Sequence, residues 1–353
     1  NMYELKDIKV VHLEVTQNCQ AACPMCDRNC NGEGINPHIN LDELSLKDCK
    51  DIFNTSFIKQ LDTMYMCGNL GDPIIARDTL EIFKYFRKHN PNMWLSMNTN
   101  AGARNNTWWQ ELADVFGSNG NVIFSVDGLQ DTNHIYRQGV SWKAVERSMD
   151  AFIKAGGRAR WDFLIFEHNQ HQVEEAKALS EQKGFETFTA KKTGRFIKSK
   201  GIPKDNHKFG DKSLNKPDPK YINPALATQD KVIEKYGSMV DYFNNTKITC
   251  KVKDKGEIFV SAEGLVLPCC WTAGRMYKWK KKDPHVEQIW DHIELAGGKE
   301  SLNAKNGIDK VFNTSIFKSI QDSWKIPTCK EGKLKICTRQ CGQEFKPFES
   351  QWN

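Results

Sequence analysis

No stretch of the sequence approaches the roughly 20 apolar residues that a membrane-spanning helix needs. The first residues, NMYELKDIKV, also lack the apolar core of a secretory signal. Both absences predict a cytoplasmic protein with no membrane partner. There is no internal repeat and no low-complexity tract, which excludes a solenoid and a fibrous chain. Nor does any residue stand out as a general acid or base, since His134, His168 and His171 read equally well as surface side chains. What is present is ordinary for a folded soluble chain: 39% apolar and 27% charged residues over 353 positions, enough for one large domain and a small one.

The net charge, 50 − 44 = +6, is mild and its excess is local. Between Lys191 and Lys220 ten Lys and Arg stand against three Asp. Such a run reads as a solvated linker; the alternative is contact with a phosphorylated or nucleic-acid partner, so nucleic acid stays open. Cysteine is the residue in excess, with 12 in the chain. In a long cytosolic protein that number points to metal or redox chemistry rather than to a disulfide framework.

Up to about residue 193, short β-branched or aromatic runs alternate with amphipathic helices. The runs are 10–16, 63–68, 94–100, 122–128, 160–166 and 187–193. Gly156-Gly157 and Gly184 stand where glycines end two of the helices. Six β-α units imply parallel strands with right-handed crossovers, in a doubly wound sheet or a partial barrel. Either way, reactive groups belong on the loops after the strands' C-terminal ends. From 194 to 249 the periodicity fades into a linker with a helix near 229–243, and beyond it EIFVSAEGLVLPCCW reads as a hairpin turning at Glu263-Gly264.

Directly after the first strand lies Cys19-Gln-Ala-Ala-Cys23-Pro-Met-Cys26. Three thiolates on one loop can hold three irons of a 4Fe–4S cube and leave the fourth open to a ligand. Cys30 is the candidate for closing such a site, and zinc is the competing metal. Cys49 and Cys67 fall in a helix and a strand pattern and read as core.

C-x3-C-x2-C after a first strand resembles the signature of the radical S-adenosylmethionine (SAM) superfamily, over about residues 8–193. The resemblance implies an α/β fold, a partial (β/α)6 TIM-like barrel, with SAM and one 4Fe–4S cluster on Cys19, Cys23 and Cys26. Gly71-Asp72-Pro73, within GNLGDP, is similar to the segment that contacts the SAM amino group, with Asp in place of the more usual Glu. Ser125, Asp127 and Arg137 are similar to the segment at the ribose and carboxylate, Asn98 and Asn100 line the same pocket in relatives, and Met25 stands where an adenine-packing aromatic is common.

Cys250-x13-Gly264-x4-Cys269 followed by Cys329, Cys337 and Cys341 resembles the auxiliary-cluster domains called SPASM and twitch. It implies a small α+β domain with an auxiliary 4Fe–4S cluster on Cys250, Cys269, Cys337 and Cys341, Cys329 being the alternative fourth ligand and zinc the rival metal. Cys270 would face away from Cys269. The implied organisation is a core barrel over 1–193, a linker and bridging helix over 194–249 and the auxiliary domain over 250–353. The implied partners are an electron donor such as flavodoxin or ferredoxin and a peptide or small-molecule substrate, with an RNA- or nucleotide-modifying enzyme and a non-catalytic metal module as the other readings.

Overall fold

A computed structural model of the chain describes residues 2–197, 206–209, 212–278 and 284–353. Residues 198–205, 210 and 211, which carry part of the basic run, lie outside the described residues.

The six predicted strands are present as β1 (Val10–Leu13), β2 (Thr63–Met66), β3 (Trp94–Thr99), β4 (Gly120–Ser125), β5 (Ala159–Leu164) and β6 (Thr187–Lys191). They pair in chain order and all in parallel. In-register rows such as Leu13–Met66–Met97–Val122 and Thr99–Phe124–Trp161 are buried on one face of the sheet. The crossover helices Thr79–His89, Asn106–Phe116 and Trp142–Lys154 cover that face. Trp109 stacks on Phe124 with ring centroids 5.7 Å apart, and Phe83 meets Phe116 edge-on at 4.8 Å. Removing an aromatic from such a cluster costs roughly 3–5 kcal/mol.

Local signals fix where the helices begin and end. Asn105 and Ser141 accept from the backbone of Trp108 and Ala144 as N-caps, and Gly184 ends the helix Val173–Lys183 at φ +93°. Strand alternation then puts a different set of residues on the other face: His12, Tyr65, Ser96 and Asp162 are polar and wholly or largely buried. A packed apolar face under helices and a polar face opposite it are what a partial barrel with a functional interior requires.

The segment after β6 holds a two-stranded hairpin, β7 (Asn206–Phe209) with β8 (Lys212–Asn215), and two helices, Ala225–Tyr236 and Met239–Asn245, rather than the single helix expected near 229–243. The hairpin read from EIFVSAEGLVLPCCW forms as β9 (Glu257–Val260) and β10 (Val266–Leu267), with Gly264 at φ +87° in its turn. It does not stand in a sheet of its own. β9 runs parallel to β1, Val10 opposite Glu257 and Leu13 opposite Val260, so the sheet has eight strands in the order β10-β9-β1-β2-β3-β4-β5-β6 and does not close.

Candidate functional site

The loop between β1 and the 3-10 turn Asp27–Gly32 carries the cysteine triplet, and three chain-distant segments each reach a different one of its sulfurs. Asn100 Nδ2, just beyond β3, donates to Cys19 Sγ at 3.5 Å. Arg137 Nη1 donates to Cys23 Sγ at 3.8 Å. The Cys26 thiol donates to the carbonyl of Asn69, in the turn after β2, at 4.0 Å. Burial pushes the Cys19 thiol up to about 12 and Cys26 to about 11, and the neighbouring thiols add to both. Burial also raises Cys23, opposed by Arg137. Three crowded thiols that oppose one another's ionisation are the kind of donor set that a positively charged metal group deprotonates.

The turn after β2 lies against the cysteine loop backbone to backbone. A Cβ on Gly71 would stand 2.1 Å from the Thr16 carbonyl oxygen, and one on Gly68 would stand 1.9 Å from that of Gly71, so neither position tolerates a side chain. Asp72 N donates to the Asn18 carbonyl at 2.9 Å. The Asp72 carboxylate accepts from Ile74 N at 3.1 Å, Thr99 Oγ1 at 2.9 Å and Asn100 N at 2.7 Å. It therefore pins β3 to the turn, and of its roughly four lone-pair sites one is left for a ligand. In Asp72→Asn the amide N–H₂ turns a donor toward donors, and stability should fall by about 1.5–3 kcal/mol in denaturant unfolding.

Asp127 and Arg137 form the second support. Arg137 Nε donates to Asp127 Oδ2 at 2.7 Å, and Leu164 N at the end of β5 donates to Oδ1 at 2.7 Å. Burial works against the Arg137 charge, and Asp127 and Cys23 hold its pKa above the ordinary arginine range. The loop of Arg137 is tied to the triplet by Ala22 N donating to the Gln138 carbonyl at 2.8 Å. Asn98 and Ser125 are half-buried at the ends of β3 and β4, and Met25 is buried.

No protein-family profile matches the chain, and no curated protein matches it in sequence. Solved structures do. Streptococcus suis SuiB bound to S-adenosylmethionine aligns with a TM-score of 0.56 at 13% identity, over 95% of this chain and 73% of SuiB. The protein anSMEcpe with bound AdoMet aligns with a TM-score of 0.56 at 16% identity, over 97% of this chain and 91% of the other. SuiB bound to its precursor peptide SuiA gives a TM-score of 0.52 at 14% identity, over 98% and 76%. The chain shares the fold of these structures.

Three residues at this site carried no sequence signal of their own. Glu14 Oε2 accepts from Leu70 N at 2.8 Å, with the amides of Asn69 and Gly71 also directed at the carboxylate, so it clamps the turn that faces the triplet. Arg195, counted only as part of the basic run, donates to the Met25 carbonyl and to Tyr136 Oη, both at 3.0 Å, and draws down the thiols of Cys23 and Cys26. Lys191 lies 3.8 Å from Asp162, which Arg160 already holds at 3.0 and 3.1 Å. Cys67, read as core, is half-buried just beyond β2, near Lys191, Glu14, Asp72 and Asp162.

Burial lifts the Glu14 carboxyl from an ordinary 4.5 to about 7, against the amides that lower it. Between those values the folded chain keeps a proton that the unfolded chain has released. Stability from Glu14 is thus complete below pH 4.5 and is lost as pH rises to about 7, amounting to about 3 kcal/mol. Glu14→Gln should flatten the slope of unfolding free energy between pH 4.5 and 7; an unaltered slope in urea titrations would show that another group is responsible.

The second cysteine set gathers at the other end of β9. Cys250, Cys269, Cys337 and Cys341 line one pocket, with Met2, Pro268, Trp271 and Trp324 around them. Cys337 and Cys341 share a face of the helix Lys335–Cys341 at a spacing of four residues. The Cys250 thiol donates to Cys341, which lowers the Cys341 pKa and raises that of Cys250. Cys329 is not at the pocket: it is buried in a separate cluster with Val232, Tyr242 and Phe345. Cys270 begins the helix Cys270–Arg275 and is not among the residues that line the pocket; Cys269, Cys67, Glu257 and Glu14 all raise the pKa of its thiol. Among the described residues, no three His, Cys, Asp or Glu side chains close around a single ion. Thiolates of a cube bind separate irons, whereas those of a zinc site all meet one ion at about 2.3 Å.

Proposed function

We propose that this chain is a radical SAM enzyme with one 4Fe–4S cluster on Cys19, Cys23 and Cys26 and an auxiliary 4Fe–4S cluster on Cys250, Cys269, Cys337 and Cys341. The observation that carries the reading is the convergence on the triplet of three separate segments, at Asn69, Asn100 and Arg137, each at its own sulfur. When bound and reduced, a cluster with SAM on its open iron supplies a 5′-deoxyadenosyl radical that removes hydrogen from a substrate.

The chain's own groups prepare that chemistry. Gly71 lets the turn approach the cysteine loop, Glu14 holds the turn's amides, and Arg137 places a buried positive charge beside Cys23. Asp72 has one acceptor site left for the SAM ammonium, and Asn98, Ser125 and Met25 lie at the strand ends and on the loop where the rest of SAM would be held. In this reading residues 1–193 are the catalytic core, 194–249 the connection and 250–353 the auxiliary domain.

The substrate class we favour is a peptide, because SuiB is also solved with its precursor peptide SuiA and anSMEcpe with a Cp18Cys peptide. The electron would come from a flavodoxin or ferredoxin. Purified anaerobically, reconstituted and reduced with dithionite, the protein is expected to convert SAM to 5′-deoxyadenosine. Background levels at full iron content would overturn the assignment.

A further inference from the structure

We infer that Lys191, backed by Arg160 and Asp162, anchors a carboxylate of the substrate inside the barrel, which makes the favoured substrate an acidic peptide. The inference deepens the peptide reading given above and rests on it. It starts from a charge imbalance on the polar face of the sheet. Asp162 pairs with Thr189 in register, and Lys191 comes two residues later, so both stand on the face that carries His12, Tyr65 and Ser96. Arg160, two residues before Asp162, is on that face as well. Arg160 donates to both oxygens of Asp162, from Nε at 3.0 Å and from Nη2 at 3.1 Å, a bidentate pair. Lys191 Nζ stands 3.8 Å from Asp162 Oδ2, an ion pair longer than a hydrogen bond. Two cations thus share one carboxylate, and the group carries a net charge of +1. Neither of the other acidic groups that act on Lys191 cancels it. Asp127 is already bound by Arg137 at 2.7 Å, and burial keeps the Cys67 thiol protonated, pushed up to about 11.

The register also sets the level of the ammonium in the barrel. Lys191 ends β6 opposite Leu164, and Leu164 N donates to Asp127 Oδ1 at 2.7 Å. Asp127 in turn holds Arg137, whose Nη1 reaches Cys23 Sγ, so Lys191 stands at the end of the barrel where the triplet lies. A neighbouring segment keeps it there. Its ammonium lies over the ring of Trp352 at 4.8 Å. Lys192 N donates to the Gln351 carbonyl at 2.8 Å, and Asn223 Nδ2 bridges the carbonyls of Lys192 and Pro347 at 2.8 and 2.9 Å. The Lys191 side chain is 19% exposed, and among the described residues its ammonium makes no hydrogen bond. Burial lowers its pKa from the ordinary lysine value, with Asp162 and Asp127 acting against the fall. A second carboxylate would accept from the ammonium and restore the charge balance. The charge also selects the anion. A carboxylate carries −1, whereas a phosphate, at about −1.5 to −2, would leave the group negative. An anchor at this level fixes which C–H bond of a bound peptide meets the radical.

SAM has a carboxylate of its own, so the test separates the two sources. It uses the reconstituted full chain with SAM added, and two probes that differ by one charge, acetyl-Ala-Glu-Ala-amide and acetyl-Ala-Gln-Ala-amide. In calorimetric titrations the Glu peptide should bind about tenfold more tightly, the low end of what hydrogen bonds to charged groups contribute. Lys191→Met should erase that preference and leave the affinity for SAM as it was. The absence of any Glu preference in the unmodified protein overturns the inference, and so does a preference that survives Lys191→Met. A fall in SAM affinity in Lys191→Met would assign the ammonium to the SAM carboxylate and would overturn the inference too. Should Lys191→Met fail to fold, the rate of Lys191 acetylation in the unmodified protein, followed by mass spectrometry, gives the decision. Slowing by the Glu peptide alone supports the anchor, and equal rates with both peptides sink it. None of these readouts needs SAM cleavage, so a failure of the anchor is told apart from a failure of the proposed activity, which 5′-deoxyadenosine reports.

Discussion

With Cys19, Cys23 and Cys26 all changed to Ala, 5′-deoxyadenosine formation is expected to fall to background while about four irons per chain remain, the content of a single 4Fe–4S cube. The two halves of this result have separate causes. The three sulfurs that Asn100, Arg137 and Asn69 address are gone, so nothing is left on the loop to hold an iron open to SAM. The four cysteines of the other pocket are untouched, and none of them comes from the loop. The loop itself should persist, because its backbone is held by bonds that involve no sulfur: Asp72 N to the Asn18 carbonyl at 2.9 Å and Ala22 N to the Gln138 carbonyl at 2.8 Å. Loss of activity with an unchanged unfolding transition would therefore separate a missing cluster from a collapsed core. Residual SAM cleavage in this variant would place the reactive cluster elsewhere, and stoichiometric zinc with almost no iron would make the second pocket a structural metal site.

The six strands were readable because each depends on its own residues: a short β-branched or aromatic run, then a helix pattern, then a glycine such as Gly184 in a left-handed conformation. The triplet stands out for a related reason, since its three cysteines lie within eight residues and spacing alone picks them out. Features that depend on distant pairing were not. Nothing local to Glu257–Val260 says that it runs beside Val10–Leu13, about 250 residues earlier, and so extends the barrel sheet. Glu14 acts through amides near residue 70, and Arg195 through Met25 and Tyr136, so both looked like ordinary charged residues. Cys337 is a different case. Its four-residue spacing from Cys341 is a one-face helix spacing, a signal for preferring it over Cys329 that the comparison with auxiliary-domain patterns alone did not use. Asp72 was read as a ligand-facing carboxylate, and its three contacts to Ile74, Thr99 and Asn100 add a structural role that its position before Pro73 hints at.

Arg137→Gln should be the most disruptive single change at the site, costing about 3–5 kcal/mol of folding stability, the usual penalty for stranding one member of a buried ion pair. Asp127 has 1% of its side chain exposed and Arg137 18%, and the 2.7 Å contact between them is the only ion pair of that carboxylate among the described residues. Glutamine is shorter and neutral, so Asp127 would be left charged with Leu164 N as its remaining main-chain donor. The same change removes the positive charge that holds the Cys23 thiol down, so Cys23 should ionise and take up iron less readily. The two effects can be separated. Adding Asp127→Asn to Arg137→Gln removes the stranded charge and should recover much of the stability, as coupled neighbours do in a double-mutant cycle. It should not recover iron at the triplet, because Cys23 still lacks the larger of its two cationic influences, Arg195 being the other. Thermal unfolding gives the first quantity and iron content in a background without Cys250 and Cys341 gives the second. If both return together in the double variant, Arg137 serves the fold alone and its contact with Cys23 Sγ is incidental.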